Sequence, residues 1–186
     1  MKDLCKGILT ASLLIALLYP ALGEVQKLSV STDKSWKSLD IAPPGWTSQN
    51  YDDSWWNTAS EISSDSVINE GLPIWHPGTT PPSTAYFRRD FEINGDVKGG
   101  QVYAGTSDCS SKSAIEVYVN EQYVGKFKEC SYAGKWHGCS WQPAEINITS
   151  YLVPGMNAIA VKVATDPDRE AYYRNWALSG TIWYGT

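Results

Sequence analysis

Aromatic and hydrogen-bonding side chains recur in three segments of the chain, and their types suit the binding of a sugar. The six candidates are Trp75, Trp136, His137, Tyr172, Tyr173 and Arg174. A flat aromatic ring packs against the apolar C–H face of a sugar, while a histidine or arginine beside it hydrogen-bonds the hydroxyl groups. The alternative is that these aromatic rings turn inward and pack the loops that carry them.

The elements that would position these residues are strands. Runs with apolar alternation occur at 28–31, 84–93, 101–106, 114–120, 122–128, 144–148, 157–165 and 177–184. Clusters of Gly, Pro, Asn or Asp separate most of these runs, and the pattern has no long helical period. Ile115, Val117 and Val119 share one face of a strand, so this face is predicted to lie in a core.

Antiparallel order predicts which loops meet. Because successive strands run in opposite directions, their connections alternate between the two ends of a sandwich. Counted from the strand at 84–93, the segments 71–83, 107–113, 129–143 and 165–176 fall at one end, which we call the loop end. All six candidate residues belong to these segments. The sequence therefore predicts an aromatic binding surface at the loop end.

Composition argues against nucleic acid as a partner. The chain has 186 residues, a formal net charge of -5 and no stripe of Lys or Arg, whereas phosphate binding needs a basic face. Its nine Trp and eleven Tyr residues exceed what the strands need. Some of them are therefore candidates for contacts at the surface.

The first 23 residues have the pattern of a secretory signal peptide. Lys2 and Lys6 precede an apolar run at 8–18, and small residues near Gly23 suit a signal peptidase. The sequence therefore predicts cleavage after Gly23 and export of residues 24–186 as a single domain. The expected location is secreted, extracellular or at the cell surface.

Export makes a disulfide the expected use of cysteine. Cys130 and Cys139 bracket a glycine-containing loop and are predicted to pair, although pairing of Cys109 with either of them fits nearly as well. The spacing of these cysteines and His137 matches no familiar zinc site, so no metal is predicted there. Asn147 begins an Asn-Ile-Thr sequon and is the predicted glycosylation site.

Two adjacent carboxylates, Asp52 and Asp53, precede Ser54 and Trp55 in a turn-rich segment. Short polar side chains in such a segment cap backbone amides, and Trp55 is predicted to plug the sandwich. A paired-carboxylate active site is the less favoured interpretation. The chain also has two histidines and lacks the G-x-S-x-G and H-E-x-x-H motifs, so we expect it not to be an enzyme.

The order of several short motifs resembles that of galactose-binding-like jelly-roll domains, including those attached to glycoside hydrolases. The motifs are Pro44-Gly45-Trp46, Tyr51-Asp52-Asp53-Ser54-Trp55, Ile74-Trp75, Tyr86-Phe87-Arg88-Arg89-Asp90-Phe91, Val117-Tyr118-Val119-Asn120 and the run at 152–161. The resemblance covers residues 34–184 and implies an all-β, antiparallel jelly-roll β-sandwich. Glu121 departs from it, because such domains often place Gly after the Asn of this hairpin.

The resemblance implies a ligand site at one end of the sandwich, which favours the loop end. Similar domains often bind calcium, and Asp52 and Asp53 are the candidate ligands, although their spacing is not that of a calcium loop. We expect a secreted, non-catalytic carbohydrate-binding module that recognises a cell-surface or extracellular glycan and needs no cofactor. The alternative is a structural subunit of an extracellular envelope or filament, whose exposed aromatics and unpaired cysteine contact another copy or an envelope protein.

Overall fold

A computed structural model describes residues 24–62, 71–78, 80–106, 108, 110–127, 131–132, 139–140, 144–169 and 174–185. The predicted signal peptide at residues 1–23 lies outside this described part. The strands are β1 (Val25–Ser29), β2 (Lys37–Leu39), β3 (Asn57–Thr58), β4 (Ser60–Glu61), β5 (Ile74–Trp75), β6 (Thr84–Ile93), β7 (Asp96–Thr106), β8 (Ala114–Val119), β9 (Gln122–Phe127), β10 (Ser131–Tyr132), β11 (Cys139–Ser140), β12 (Ala144–Asn147), β13 (Gly155–Ala164) and β14 (Trp176–Gly185). A short 3₁₀ helix, Thr149–Tyr151, precedes β13.

Two antiparallel sheets make up the sandwich. The first sheet has the strand order β12-β7-β14-β5-β4, and β1 also pairs with β14. The second sheet has the order β3-β2-β6-β13-β8-β9, and β10 and β11 form a separate pair. The predicted all-β, antiparallel jelly-roll β-sandwich is therefore confirmed.

Each predicted strand overlaps an observed one, but the short strands β2 to β5, β10 and β11 were not predicted, and the largest difference in bounds concerns β7. This strand begins at Asp96 rather than at Gln101, because Gly99 and Gly100 interrupt the apolar alternation while their backbones still pair with β14. An added Cβ at Gly100 would lie 2.5 Å from the Cδ1 atom of Leu152, so the Leu152 side chain would have to shift. Glycine here allows close packing and does not mark a break in the strand.

Aromatic rings fill the core between the sheets. The Trp176 ring lies 5.2 Å from that of Trp36 and 5.1 Å from that of Phe87, and all three side chains are fully buried. Ile115, Val117 and Val119 are also buried in this core, as their shared face predicts, and so are the corresponding residues of β13. These contacts join the two sheets into one layered structure.

Candidate functional site

The predicted loop end is confirmed by the strand register. Thr84 and Ala114 both lie opposite Ala164, and Trp176 lies opposite Thr106. The connections that leave these positions therefore leave the sandwich at the same end, as antiparallel order requires.

The two described candidates at the loop end both turn towards the protein. Trp75 is only 1% exposed, and its indole Nε1 donates a hydrogen bond to the carbonyl of Pro82 at 3.3 Å. The prediction of Trp75 as a surface contact is wrong, because the ring fills the core beneath this loop. The guanidinium of Arg174 donates to the carbonyl of Pro81. The other four candidates, Trp136, His137, Tyr172 and Tyr173, lie outside the described residues.

The predicted disulfide and glycosylation sites stay predictions. Cys109 and Cys130 lie outside the described residues, and only the backbone of Cys139 is described, at the start of β11. Asn147 is exposed at the end of β12, where its Oδ1 accepts a hydrogen bond from the backbone N–H of Thr149 at 3.0 Å.

A charged network joins two of the segments at the loop end. Asp108, 1% exposed, accepts hydrogen bonds from the backbone N–H groups of Ser110 at 3.0 Å and Asp166 at 2.6 Å. Asp166 accepts from the Ser110 hydroxyl and pairs with Lys112 at 3.2 Å. The Ser110 hydrogen bond is the main reason that the pKa of Asp166 lies below its usual value. This network holds the two segments together, and its carboxylates form hydrogen bonds or ion pairs with its backbone N–H, hydroxyl and ammonium groups.

The turn at Asp52 to Trp56 directs two adjacent indoles to different sides, one exposed and one buried. Asp52 Oδ1 accepts from the backbone N–H of Ser54 at 3.0 Å, which confirms the predicted capping, and the hydrogen bonds from Ser54 lower the Asp52 pKa. Trp56 is 3% exposed, whereas Trp55 is 60% exposed. The prediction that Trp55 plugs the structure is therefore wrong: adjacent residues of the turn point apart, and Trp56 takes the buried position.

An aromatic layer covers the outer face of the second sheet. It consists of Trp46, Tyr51, Trp56, Tyr86 and Tyr118. Trp46 stacks on Trp56 with a centroid distance of 6.4 Å and meets the Tyr118 ring at 5.6 Å. The exposed Trp55 ring lies edge-on to Trp56, with centroids 6.2 Å apart. The layer fixes the segment before β3 against the sheet and supports the exposed indole from below.

A charged pocket of about 270 Å³ lies beside this layer. It is lined by Ser35, Lys37, Asp53, Arg88, Arg89 and Asp90. Arg88, fully buried, places Nε 3.1 Å from Asp53 Oδ2 and Nη2 2.7 Å from Asp90 Oδ1. Its Nη2 also lies 3.4 Å from the carbonyl oxygen of Tyr51. One guanidinium thus holds both carboxylates and the turn segment.

Burial changes the acidity of Asp90. Partial removal from water raises the Asp90 pKa to about 6, the nearby Asp53 charge adds to this effect, and Arg88 opposes it. A carboxyl group with this pKa changes charge near neutral pH. The pocket therefore has a protonation state that depends on mild changes of pH.

The charged pocket was not predicted from the sequence, although one signal for it exists. Alternation along β6 places Phe87 inward and Arg88 and Asp90 on the opposite face. A buried arginine on the outer face of a strand requires a cover and acidic partners. The sequence does not show that the segment carrying Asp53 supplies both.

A metal centre and a membrane-spanning helix are both absent from the described part of the chain. There, no group of three or more His, Cys, Asp or Glu side chains could hold a metal ion. Of the two calcium candidates, Asp52 accepts a hydrogen bond from Ser54 through Oδ1, and Asp53 pairs with Arg88 through Oδ2. Among the same residues no helix has the length and apolar character needed to cross a bilayer.

Comparison with known proteins found similarity to parts of much longer chains. No family model matches the sequence. Over 131 residues the chain is 31% identical to Beta-galactosidase of Priestia megaterium, and the match covers 70% of this chain and 11% of that protein. The predicted resemblance to a β-sandwich module attached to glycoside hydrolases is thereby confirmed.

The solved structures with similarity to this chain include glycosidases. A beta-glycosidase from Bacteroides vulgatus is 24% identical with a TM-score of 0.48, and the match covers 81% of this chain and 20% of that one. Bacteroides uniformis beta-glucuronidase is 19% identical with a TM-score of 0.47, and the match covers 84% of this chain and 18% of that one. In each case the chain corresponds to a small part of the longer protein.

Proposed function

We propose that this chain is a non-catalytic carbohydrate-binding β-sandwich whose sugar contact is formed by Trp55 and the charged pocket. The observation that carries this proposal is the exposure of Trp55, 60% of whose surface faces solvent while its neighbour Trp56 is buried. An indole fixed at the surface offers an apolar plane for the C–H face of a sugar ring. The charged pocket supplies hydrogen-bond donors and acceptors near the same turn.

The relative supports a role with carbohydrates. Beta-galactosidase is named for its action on a sugar, and the chain is 31% identical to a segment that makes up 11% of that protein. A segment of that size is a module of the longer chain, and such modules are reused apart from the catalytic domain. We therefore assign a glycan as the ligand and leave hydrolysis to other domains.

The geometry of the two pocket carboxylates favours binding over catalysis. A glycosidase places an acid and a nucleophile or base on either side of a scissile bond, so both must face a cleft that holds two sugar rings. Asp53 and Asp90 instead share one guanidinium and face a pocket of about 270 Å³.

Trp136, His137, Tyr172 and Tyr173 lie outside the described residues, and we propose them as further candidate sugar contacts.

We also propose export, supported by the apolar run at 8–18 after Lys2 and Lys6. Mass spectrometry of protein from its native host is expected to find Glu24 at the N-terminus; intact Met1 in a membrane fraction would contradict export.

A glycan array probed with residues 24–186 tests the proposal, together with a chromogenic β-galactoside as a hydrolysis substrate. The expected result is binding to one class of glycans with no release of the chromophore. Hits are to be confirmed by affinity gel electrophoresis, which detects the weak millimolar to micromolar affinities of a small site. Absence of binding to any glycan at millimolar concentration would contradict the proposal, and so would turnover of the chromogenic substrate.

A further inference from the structure

Arg88 leaves half of each carboxylate in the charged pocket available. It pairs with Asp53 through Oδ2 and with Asp90 through Oδ1. Within the described residues, Asp53 Oδ1 and Asp90 Oδ2 have no hydrogen-bond or ion-pair partner. The Asp53 and Asp90 side chains are 18% and 32% exposed, respectively. The pocket therefore offers two accessible acceptor oxygens in fixed positions.

Lys37 brings a donor to the same pocket. It lies opposite Arg88 in the pairing of β2 with β6, and no described residue forms an ion pair or hydrogen bond with its ammonium group. Arg89, in contrast, is engaged with the carbonyl of Ser31 at 2.7 Å and with Asp33 at 3.5 Å. Lys37 is thus the cation of the pocket that can donate to a ligand.

The balance of charge selects the kind of ligand. Lys37, Arg88 and Arg89 are matched by Asp53, Asp90 and Asp33, the ion-pair partner of Arg89, so the local charges cancel when the carboxyls are ionised. A site with balanced charge gives no net attraction to an anion or a cation. Hydroxyl groups, which donate and accept at once, can satisfy both the carboxylate oxygens and the ammonium group.

We propose that the charged pocket is a subsite for neighbouring hydroxyl groups of one neutral sugar residue. In this arrangement two hydroxyls donate to Asp53 Oδ1 and Asp90 Oδ2, and a hydroxyl oxygen accepts from Lys37. Arg88 is a positioning residue, because it holds the two carboxylates without reaching the ligand. This inference rests on the proposed carbohydrate-binding function and adds the class of sugar and the groups that recognise it.

The subsite depends on pH through Asp90. The charged groups that face Asp90 are Arg88 from its own strand, Asp53 from the turn and Lys37 from β2. Burial raises the Asp90 pKa to about 6. Only the ionised carboxylate accepts hydrogen bonds at both oxygens, so sugar affinity is expected to rise between pH 5 and pH 7.

Calorimetric or NMR titrations with four probes test the subsite. The probes are methyl β-galactoside, methyl β-glucoside, galacturonic acid and galactosamine. At pH 7 a neutral glycoside is expected to bind more tightly than the acidic or the amino sugar. Lys37→Gln is expected to weaken this binding about tenfold, the effect of losing one charge-assisted hydrogen bond. Lys98→Gln, at an exposed lysine 3.7 Å from Asp96 on β7, is the matched control and should bind like the unmodified chain.

Asp90→Asn separates recognition from folding. This variant keeps the shape of the side chain, so its melting temperature reports whether the pocket stays intact, while its affinity is expected to fall about tenfold and to lose its pH dependence. Preference for galacturonic acid or galactosamine would overturn the inference. Neutral-sugar binding that is unchanged in both pocket variants would also overturn it, and so would failure of both neutral glycosides to bind. Failure of the proposed function is distinct, because the array would then show no binding to any glycan.

Discussion

The guanidinium of Arg88 and the carboxylate of Asp53, 3.1 Å apart, connect the middle of β6 to the turn that presents Trp55. Arg88 is fully buried, and the side chain of Asp53 is 18% exposed. A buried cation requires its partner far more than a surface cation does. The position of the exposed indole is therefore tied to an ion pair on the outer face of the second sheet.

Asp53→Ala is expected to lower the free energy of unfolding by about 3 kcal/mol, because it leaves the buried Arg88 with Asp90 as its one remaining carboxylate partner among the described residues. Urea melts measure this change. Asp96→Ala is the matched control, since its ion pair with Lys98 is largely exposed, and it is expected to change stability by less than about 0.5 kcal/mol. Equal effects of the two variants would contradict the importance of the Arg88 pair.

The two adjacent indoles are expected to differ in their contribution to stability. Trp56→Ala removes a ring that is 3% exposed and contacts Trp46 and Tyr51, so it should cost about 3–5 kcal/mol. Trp55→Ala removes a ring that is 60% exposed and should cost less than about 1 kcal/mol. Denaturant melts of both variants decide the assignment, and the reverse order would mean that Trp55 is the buried residue.

The strands could be predicted because their evidence is local. The bounds of β6 agree residue for residue, since every second position from Ala85 to Ile93 except Arg89 is apolar. The common end of the loops follows from antiparallel order alone. The buried position was predicted for Trp55 instead of Trp56 because both residues lie in a turn. In a turn, no strand alternation indicates which of two neighbours points inward.

The charged pocket could not be predicted because it depends on contacts between distant segments. Its cover is held by the contact between Trp46 and Tyr118, which are far apart in sequence and belong to no common period. From the sequence alone, without knowledge of that cover, Arg88 is expected to be an exposed residue on the polar face of a strand. At the loop end, topology placed Trp75 correctly, but it did not distinguish a ring that fills the core from one that faces solvent.

Stability is expected to decrease as pH rises from about 4 to about 6. The Asp90 pKa is about 6 in the folded protein and near its ordinary value of 3.8 in the unfolded chain, so the folded state binds this proton more tightly. Raising the pH through this interval removes that advantage, and the contribution becomes constant above pH 6. Asp90→Asn should lack this decrease in melts at each pH. A decrease of the same size in both proteins would assign it to another group.

The hairpin between β8 and β9 contains two residues with positive φ. Glu121 has φ of 70°, a left-handed conformation that suits glycine, so Glu121→Gly is expected to stabilise the protein by up to about 1 kcal/mol. Asn120, with φ of 50°, also accepts from the backbone N–H of Ala158 at 2.8 Å and donates to the carbonyl of Tyr151 at 2.8 Å. Asn120→Gly should therefore destabilise by about 1–3 kcal/mol. Thermal melts compare the two; stabilisation by both would show that the Asn120 hydrogen bonds contribute little.

The most direct test of the carbohydrate-binding account is the affinity of Trp55→Ala for a glycan identified on the array. Trp183→Ala is the matched control, because Trp183 is also partly exposed, at 36%, and lies on the other sheet. The account predicts that Trp55→Ala weakens binding about tenfold or more at an unchanged melting temperature, a loss of about 1.4 kcal/mol in binding free energy, while Trp183→Ala binds normally. Normal glycan binding by a folded Trp55→Ala protein would contradict the account.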